Sequence, residues 1–216
     1  MRVISGILVF TLAIAVQLFD LSAARAAEKS PWMVRVRNLV VVPDEDSTIT
    51  AIGGEATLGN AVVPEFDITY FFTEHWAAEL IAAVTPHNVR GENTALGSLD
   101  LGDVLLLPPT LTLQYHFFPE QNYRPYIGAG VNYTFFLDED AGASINSIDY
   151  DNAFGAALQA GVDISLEPFG FNEHWALNFD VKKIFLNTDV SINGGAVTAD
   201  VDIDPWIIGV GLAYRF

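Results

Sequence analysis

Hydrophobic and polar residues alternate with a period of two in eight stretches of this chain, 32–42, 62–72, 75–84, 105–118, 123–137, 154–167, 174–186 and 205–216. The last shows it most plainly. Trp206, Ile208, Val210, Leu212, Tyr214 and Phe216 share one side, and Ile207, Gly209, Gly211, Ala213 and Arg215 the other. A strand turns successive side chains to opposite faces and rises ~3.3 Å per residue, so a tilted strand of this length crosses a bilayer core. A sandwich strand could alternate too, but its aromatic ends at the chain terminus would then be accidents.

The connections alternate as well. Residues 73–74, 119–122 and 168–173 are tight turns, whereas 43–61, 85–104, 138–153 and 187–204 are long. Short turns at one end and long loops at the other predict an all-β, eight-stranded antiparallel up-and-down transmembrane β-barrel in the bacterial outer membrane, with both termini periplasmic. The face expected to meet lipid is consistent. Phe154, Ala156, Leu158, Ala160, Val162, Ile164 and Leu166 point one way, Gly155, Ala157, Gln159, Gly161, Asp163 and Ser165 the other. Trp32, Trp76, Trp175 and Trp206 all fall near strand ends on the outward face, as membrane-interface anchors do.

The N-terminus reads differently. Met1-Arg2, an apolar run over 7–19 and Ala24-x-Ala26 have the layout of an exported signal peptide, expected over 1–26, leaving 27–216 as one barrel domain. Beyond it no run approaches the ~20 apolar residues of a membrane-spanning helix. The chain is nonetheless 51% hydrophobic at a formal net charge of −17, a combination that lipid-facing and lumen-facing alternation accommodates. Absence of cysteine excludes disulfides and thiolate metal sites, and the acidic balance argues against a nucleic-acid partner.

Sorted by height, the inward residues separate into two sets. Arg35, Arg37, Arg124, Lys182 and Arg215, with Glu65, Asp67, Glu79, Asp163 and Asp180, are expected in the lower half beside His116, Gln114, Gln159, Asn132 and Asn178. Shifting a strand by one residue would turn such charges to lipid at ~2–4 kcal/mol for each Arg or Lys at the midplane. Buried charges require partners, so a packed polar plug is expected. Leu39, Val41, Val63, Ile81, Leu106, Phe136, Ile184 and Ile207 occupy the upper half. They either line a cup for a greasy molecule or meet and fill the bore.

Prolines mark a further feature. Pro86 follows the third stretch and Pro108-Pro109 open the fourth; proline cannot donate to a ladder. The seam between these strands should be open towards the loop end, a lateral opening at Pro86, Pro108 and Pro109, unless the prolines merely end strands. Two turns repeat one another, Glu74-His75-Trp76 and Glu173-His174-Trp175. They read as a reused Trp-anchoring turn, with no shared metal site. The acidic residues of the long loops form a solvated rim, with divalent cations bridging them to lipopolysaccharide as an alternative. No cofactor and no catalytic residues are expected, since no nucleophile and base have a suitable spacing; His116 faces inward and Ser165 stands alone.

The sequence resembles the OmpW/AlkL family of outer-membrane β-barrel proteins. The resemblance rests on Pro64-Glu-Phe-Asp-Ile-Thr-Tyr-Phe-Phe72, on Trp76-Ala-Ala-Glu-Leu-Ile-Ala-Ala-Val-Thr-Pro-His87, on Leu107-Pro-Pro-Thr-Leu-Thr-Leu-Gln-Tyr-His-Phe117, on Arg124-Pro-Tyr-Ile-Gly-Ala-Gly-Val-Asn-Tyr-Thr134, and on Asp204-Pro-Trp206 with Tyr214-Arg-Phe216. It implies an eight-stranded barrel for passive uptake of small hydrophobic molecules, with lateral release into the outer membrane. It also implies that Phe216 is a signal read by the barrel-insertion machinery. Expected partners are therefore outer-membrane lipids and lipopolysaccharide, that machinery and small hydrophobic solutes. The alternative is a structural or surface-interaction barrel whose acidic loops meet ions, phage, toxins or host molecules.

Overall fold

A computed structural model describes residues 30–49 and 53–216. The expected signal peptide, 1–26, lies outside the described residues. Fourteen strands follow in order: β1 Trp32–Val42, β2 Asp46–Ile49, β3 Glu55–Leu58, β4 Ala61–Phe71, β5 Trp76–Ala83, β6 Thr85–Thr94, β7 Gly97–Leu107, β8 Thr110–His116, β9 Tyr123–Ala141, β10 Ile148–Tyr150, β11 Ala153–Ser165, β12 Trp175–Ile192, β13 Val197–Asp202 and β14 Trp206–Arg215. A 3-10 turn, Glu167–Phe169, occupies the connection between β11 and β12.

Eight of these strands close a barrel in which every neighbour is antiparallel, β1–β4–β5–β8–β9–β11–β12–β14 and back to β1. Closure gives each of these eight strands a neighbour on both sides, the condition for spanning lipid with strands. The register agrees with the alternation: Leu158 is 54% exposed on the outer wall and its neighbour Gln159 only 5%. Aromatic ladders rim the turn end, Trp32–Tyr70–Phe72, Trp76–Tyr115–Phe117 and Trp175–Tyr214–Phe216, each built from edge-on contacts of 4.7–5.4 Å. Such rings combine an apolar body with a polar tip and suit the lipid–water boundary.

The long connections depart from expectation. They are largely strand. With 19 and 18 residues, β9 and β12 outrun the ~9–11 needed to cross a bilayer, and their upper ends carry a β-rich extension. The top of β12 pairs with β10 and β13, and β13 with β2; the top of β9 pairs with β7, β7 with β6, and β6 with β3. The cause is that alternation persists there. Ala199, Val201 and Ile203 are buried while Thr198, Asp200 and Asp202 face solvent, so the acidic residues that suggested loops are the outer face of strands. The inner face joins one apolar core with the upper barrel, including Ile49, Val89, Leu101, Ile148, Val190, Ile192 and Val201.

The fourth stretch, expected as one strand over 105–118, is two. β5 pairs with β8 from Trp76↔Tyr115 to Ile81↔Thr110, and pairing resumes between β6 and β7 at Thr85↔Leu106. Among the described residues no ladder pair joins 82–84 to 107–109. Pro108 and Pro109 have no amide hydrogen to give, and their carbonyls turn to Asn132 Nδ2 at 3.3 and 3.4 Å, with Tyr133 N donating to Pro109 O at 3.1 Å. Pro86 lies beyond this break, opposite Leu105 in the resumed ladder, and does not edge the gap.

Candidate functional site in the lumen

Small inward residues make room for large ones. β14 presents Gly209, Gly211 and Ala213 to the lumen; a Cβ at Gly211 would collide with the backbone of Val36 and Arg37. Gly161 likewise leaves space that the Tyr126 ring fills. Into this volume every barrel strand except β14 sends a polar side chain.

Arg35 and Arg37, side by side on β1, hold the network. Arg35 grips Asp163 through Nε and Nη2 at 3.3 and 3.0 Å and donates from Nη1 to Thr69 Oγ1 at 2.9 Å and Glu79 Oε1 at 3.1 Å. Arg37 donates to Glu65 Oε1 and Asp67 Oδ2, each at 2.5 Å, to Glu79 Oε1 at 3.0 Å and to Asn178 Oδ1 at 3.2 Å. Such forked, charge-assisted bonds are the strong kind. Tyr126 Oη donates to Asp180 Oδ2 at 2.6 Å, and Gln159 Nε2 donates to Glu79 Oε2 and Asp180 Oδ2, both at 2.8 Å. Gln114 Nε2 donates to Gln159 Oε1 at 3.0 Å, and His116 Nε2 meets Gln114 Oε1 at 3.0 Å. Asp67, Glu79, Arg35, Arg37 and Asn178 are 0–1% exposed, so this cross-strand mesh closes the bore.

Two of the five bases expected in the plug lie elsewhere. Arg124 and Arg215 line a small cavity at the turn end with Glu74, His116 and His174. Arg215 Nε donates to Ser30 O at 3.2 Å and its guanidinium covers the Phe71 ring at 3.9 Å. The plug proper therefore sets three cations, Arg35, Arg37 and Lys182, against Glu65, Asp67, Glu79, Asp163 and Asp180. Height along a tilted strand is not written in a one-dimensional pattern, and these two arginines near strand ends were sorted too far in.

Above the plug the lumen changes character. Leu39, Val41, Ile81, Leu106, Ile184 and Ile207 line a cavity of about 40 Å³, together with Pro43, Ala83, Thr85, His87, Pro108, Thr110, Thr134, Leu186, Ile203 and Pro205; Glu65 and Lys182 form its floor. Val63 and Phe136, also expected here, are buried in the same apolar core but do not line the cavity. Phe136 stacks on Tyr150 with rings 3° from parallel and centroids 5.2 Å apart. Burial, and then Glu139, push the Tyr150 hydroxyl up, so the ring remains neutral. A second apolar cavity, about 20 Å³, follows in the extension, lined by Ile49, Ala56, Leu58, Val89, Leu101, Val190 and Val201 and touching the first at Ile203. The two choices left by the pattern are both partly realised: the upper lumen is mainly apolar, with Thr85, His87, Thr110 and Thr134 among its lining, and mostly filled. The lining by Ala83, Thr85, Pro108 and Thr110 brings the cavity to the edges of the broken seam.

A protein-family model described as the OmpW family matches residues 28–216. This chain belongs to the OmpW family. Among relatives of this OmpW-family barrel, an outer-membrane protein of Sinorhizobium fredii, y4mB, is 44% identical over 195 residues, spanning 88% of this chain and 82% of the relative. Outer membrane protein W of Escherichia coli is 33% identical over 214 residues, spanning 94% and 97%. The crystal structure of OprG from Pseudomonas aeruginosa superposes with a TM-score of 0.78 at 32% identity, over 88% of this chain and 98% of that one. The AlkL structure in lipid bilayers gives 0.68 at 26%, over 91% and 96%. The eight-stranded outer-membrane barrel is thus common to the family.

Among the described residues no cluster of His, Asp or Glu could hold a metal ion. His75 Nδ1 bonds His116 O at 2.8 Å and His174 Nδ1 bonds Arg215 O at 2.6 Å. The duplicated turn thus uses its histidine twice in the same way, to tie the turn to the next strand. The lining contributed by Pro43 and Ile203 was missed because these residues lie in stretches assigned to loops.

Proposed function

We propose that this barrel is a passive conduit through which small hydrophobic molecules enter the outer membrane, with release sideways into the bilayer rather than through to the periplasm. The observation that carries the reading is the conjunction of an apolar column, a closed charged floor and an unpaired seam at the level where the column ends. An apolar solute descending from the extension exchanges water for apolar side chains at ~25 cal/mol per Å². At the plug it would have to displace paired buried charges, which cost several kcal/mol each to uncover. The route of lower resistance is the wall between 82–84 and 107–109, where no ladder hydrogen bonds need breaking.

The extension would then face outward and collect solute above the polar lipopolysaccharide layer, and the turn end with both termini would be periplasmic. Trp32, Trp76 and Trp175 would anchor the inner boundary and Trp206 the outer one, and Phe216, whose amide donates to Trp32 O at 3.1 Å, would serve as the insertion signal. One relative, 31% identical over 214 residues, is named for a dibenzothiophene metabolism operon, a context in which import of a hydrophobic aromatic compound would be useful. The cavity of about 40 Å³ is too small for such a molecule at rest, so passage requires side chains around Ile184 and Ile207 to swing as the seam parts.

The test is entry of a fluorescent apolar probe into vesicles with lipopolysaccharide in the outer leaflet. Protein should speed entry and Ile207→Arg should abolish the gain while leaving the barrel folded. Equal rates with and without protein would contradict the proposal.

A further inference from the structure

The small cavity at the turn end holds the two arginines that the plug leaves out. Arg124 comes from β9 and Arg215 from β14, with β11 and β12 between them round the wall. Both line a space of about 10 Å³ with Met33, Phe71, Glu74, His116, Asp163 and His174. Arg35, Arg37 and Lys182 each meet two or more carboxylates. Arg124 and Arg215 form no ion pair among the described residues, in a chain of formal net charge −17.

Two carboxylates stand close without pairing. Asp163 is the ladder partner of Arg124, but Arg35 Nε and Asn178 Nδ2 occupy its Oδ1 and Arg35 Nη2 its Oδ2. Glu74 lies exposed in the turn, where salt and water screen it. Arg215 spends Nε on Ser30 O and lays its plane on the Phe71 ring, which leaves both Nη groups at its edge to donate elsewhere. Arg124 is half-buried and makes no hydrogen bond among the described residues. His116 and His174 each have one ring nitrogen engaged, Nε2 with Gln114 and Nδ1 with Arg215 O, and one left over.

The geometry points to a binding site for a phosphate group at this end of the barrel, supplied by a free phosphate ion or by a lipid headgroup. A carboxylate has two oxygens, and one guanidinium fork satisfies both. Two forks converging from separated strands, with two imidazole nitrogens beside them, suit a group that spreads its charge over more oxygens. The enclosed space is about what one water needs, so the phosphate sits at the mouth with one oxygen between the guanidinium groups. Met33 and Phe71 back that oxygen with low polarity, which strengthens each charged hydrogen bond. The site requires no solute traffic through the upper lumen.

The test is arginine-selective ¹⁵N labelling of the folded protein in maltoside micelles, whose sugar heads carry no phosphate. Beyond the expected signal peptide the arginines are Arg35, Arg37, Arg90, Arg124 and Arg215, so the Nε–H spectrum is sparse and Arg124→Gln assigns its own signal. Inorganic phosphate should move Arg124 and Arg215 together and saturably. Arg35 and Arg37, whose Nε atoms are bonded inside the plug, should stay still. In Arg124→Gln the half-saturating concentration read on Arg215 should rise about tenfold, as loss of a charge-assisted hydrogen bond implies. That variant breaks no bond among the described residues, and titration of the unaltered protein stands without it. Phosphatidylglycerol mixed into the micelles, with no soluble phosphate, is the second arm. Whichever arm moves the two signals at the lower phosphate content identifies the source. Equal movement with acetate at the same ionic strength, an unchanged half-saturation in Arg124→Gln, or no movement with either phosphate overturns the inference.

Discussion

The lower and upper halves of this lumen lie on the same strands, one pleat apart, and solve opposite problems. Below, Arg35 and Arg37 gather carboxylates from β4, β5, β11 and β12 into a buried mesh across the bore. Above, Leu39, Ile184 and Ile207 offer no directional bonds at all and can yield one at a time. Directional, charge-assisted contacts hold a single arrangement, whereas apolar contacts are roughly proportional to area and tolerate rearrangement. The proposed conduit, shut to water yet open to greasy molecules, would need both, in this vertical order.

The comparison is broken most severely from below. Arg35→Met strips Asp163 of its guanidinium, leaves Glu79 with Arg37 alone and so uncovers buried charge, for a loss of ~3–5 kcal/mol. The urea midpoint of the heat-modifiable folded band should fall accordingly, with little change in solute selectivity in whatever fraction folds. A charge on the outer wall comes next. Leu158→Arg should cost ~2–4 kcal/mol in the same assay, whereas Gln159→Leu one residue away should instead disturb the plug, where it deprives Glu79 and Asp180 of a donor. In the upper half, Ile184→Val should cost only ~0.5–1.5 kcal/mol and raise the entry rate of an apolar probe by widening the column. The smallest effect is expected at the rim. Asp200→Asn removes a charge but keeps an acceptor oxygen for Asn187 Nδ2 on an exposed surface and should alter stability by no more than ~0.5 kcal/mol.

Most of the barrel is legible in the sequence because a period of two leaves little freedom: once Leu158 meets lipid, Gln159 must face the lumen. The same rule identified the inward charges Arg35, Arg37, Lys182, Glu65, Asp67, Glu79, Asp163 and Asp180, all of which are buried. It could not say that Asp163 pairs with Arg35 from across the bore, or that Arg37 and Lys182 share Glu65, because those facts depend on the diameter and tilt of the closed barrel. The extension was missed for another reason. Asp200 and Asp202 marked the stretch as loop, although Ala199, Val201 and Ile203 carry a strand alternation between and beside them; acidity describes the solvent face of a strand as readily as a loop. The broken seam was legible in kind but not in place: two consecutive prolines ended the ladder at Pro108-Pro109, whereas Pro86 lies within the paired strand β6, opposite Leu105.

Where a hydrophobic solute travels is the central question, and photolabelling answers it directly. An apolar diazirine probe, supplied from the outer face of lipopolysaccharide-containing vesicles and activated during entry, should mark Ile184 and Ile207 in the cup and Val84 and Leu107 beside the seam. It should leave Gln159, Asn178 and Tyr126 unmarked. Labels running down through those plug residues to Arg124 at the turn end would show a straight bore and contradict the account.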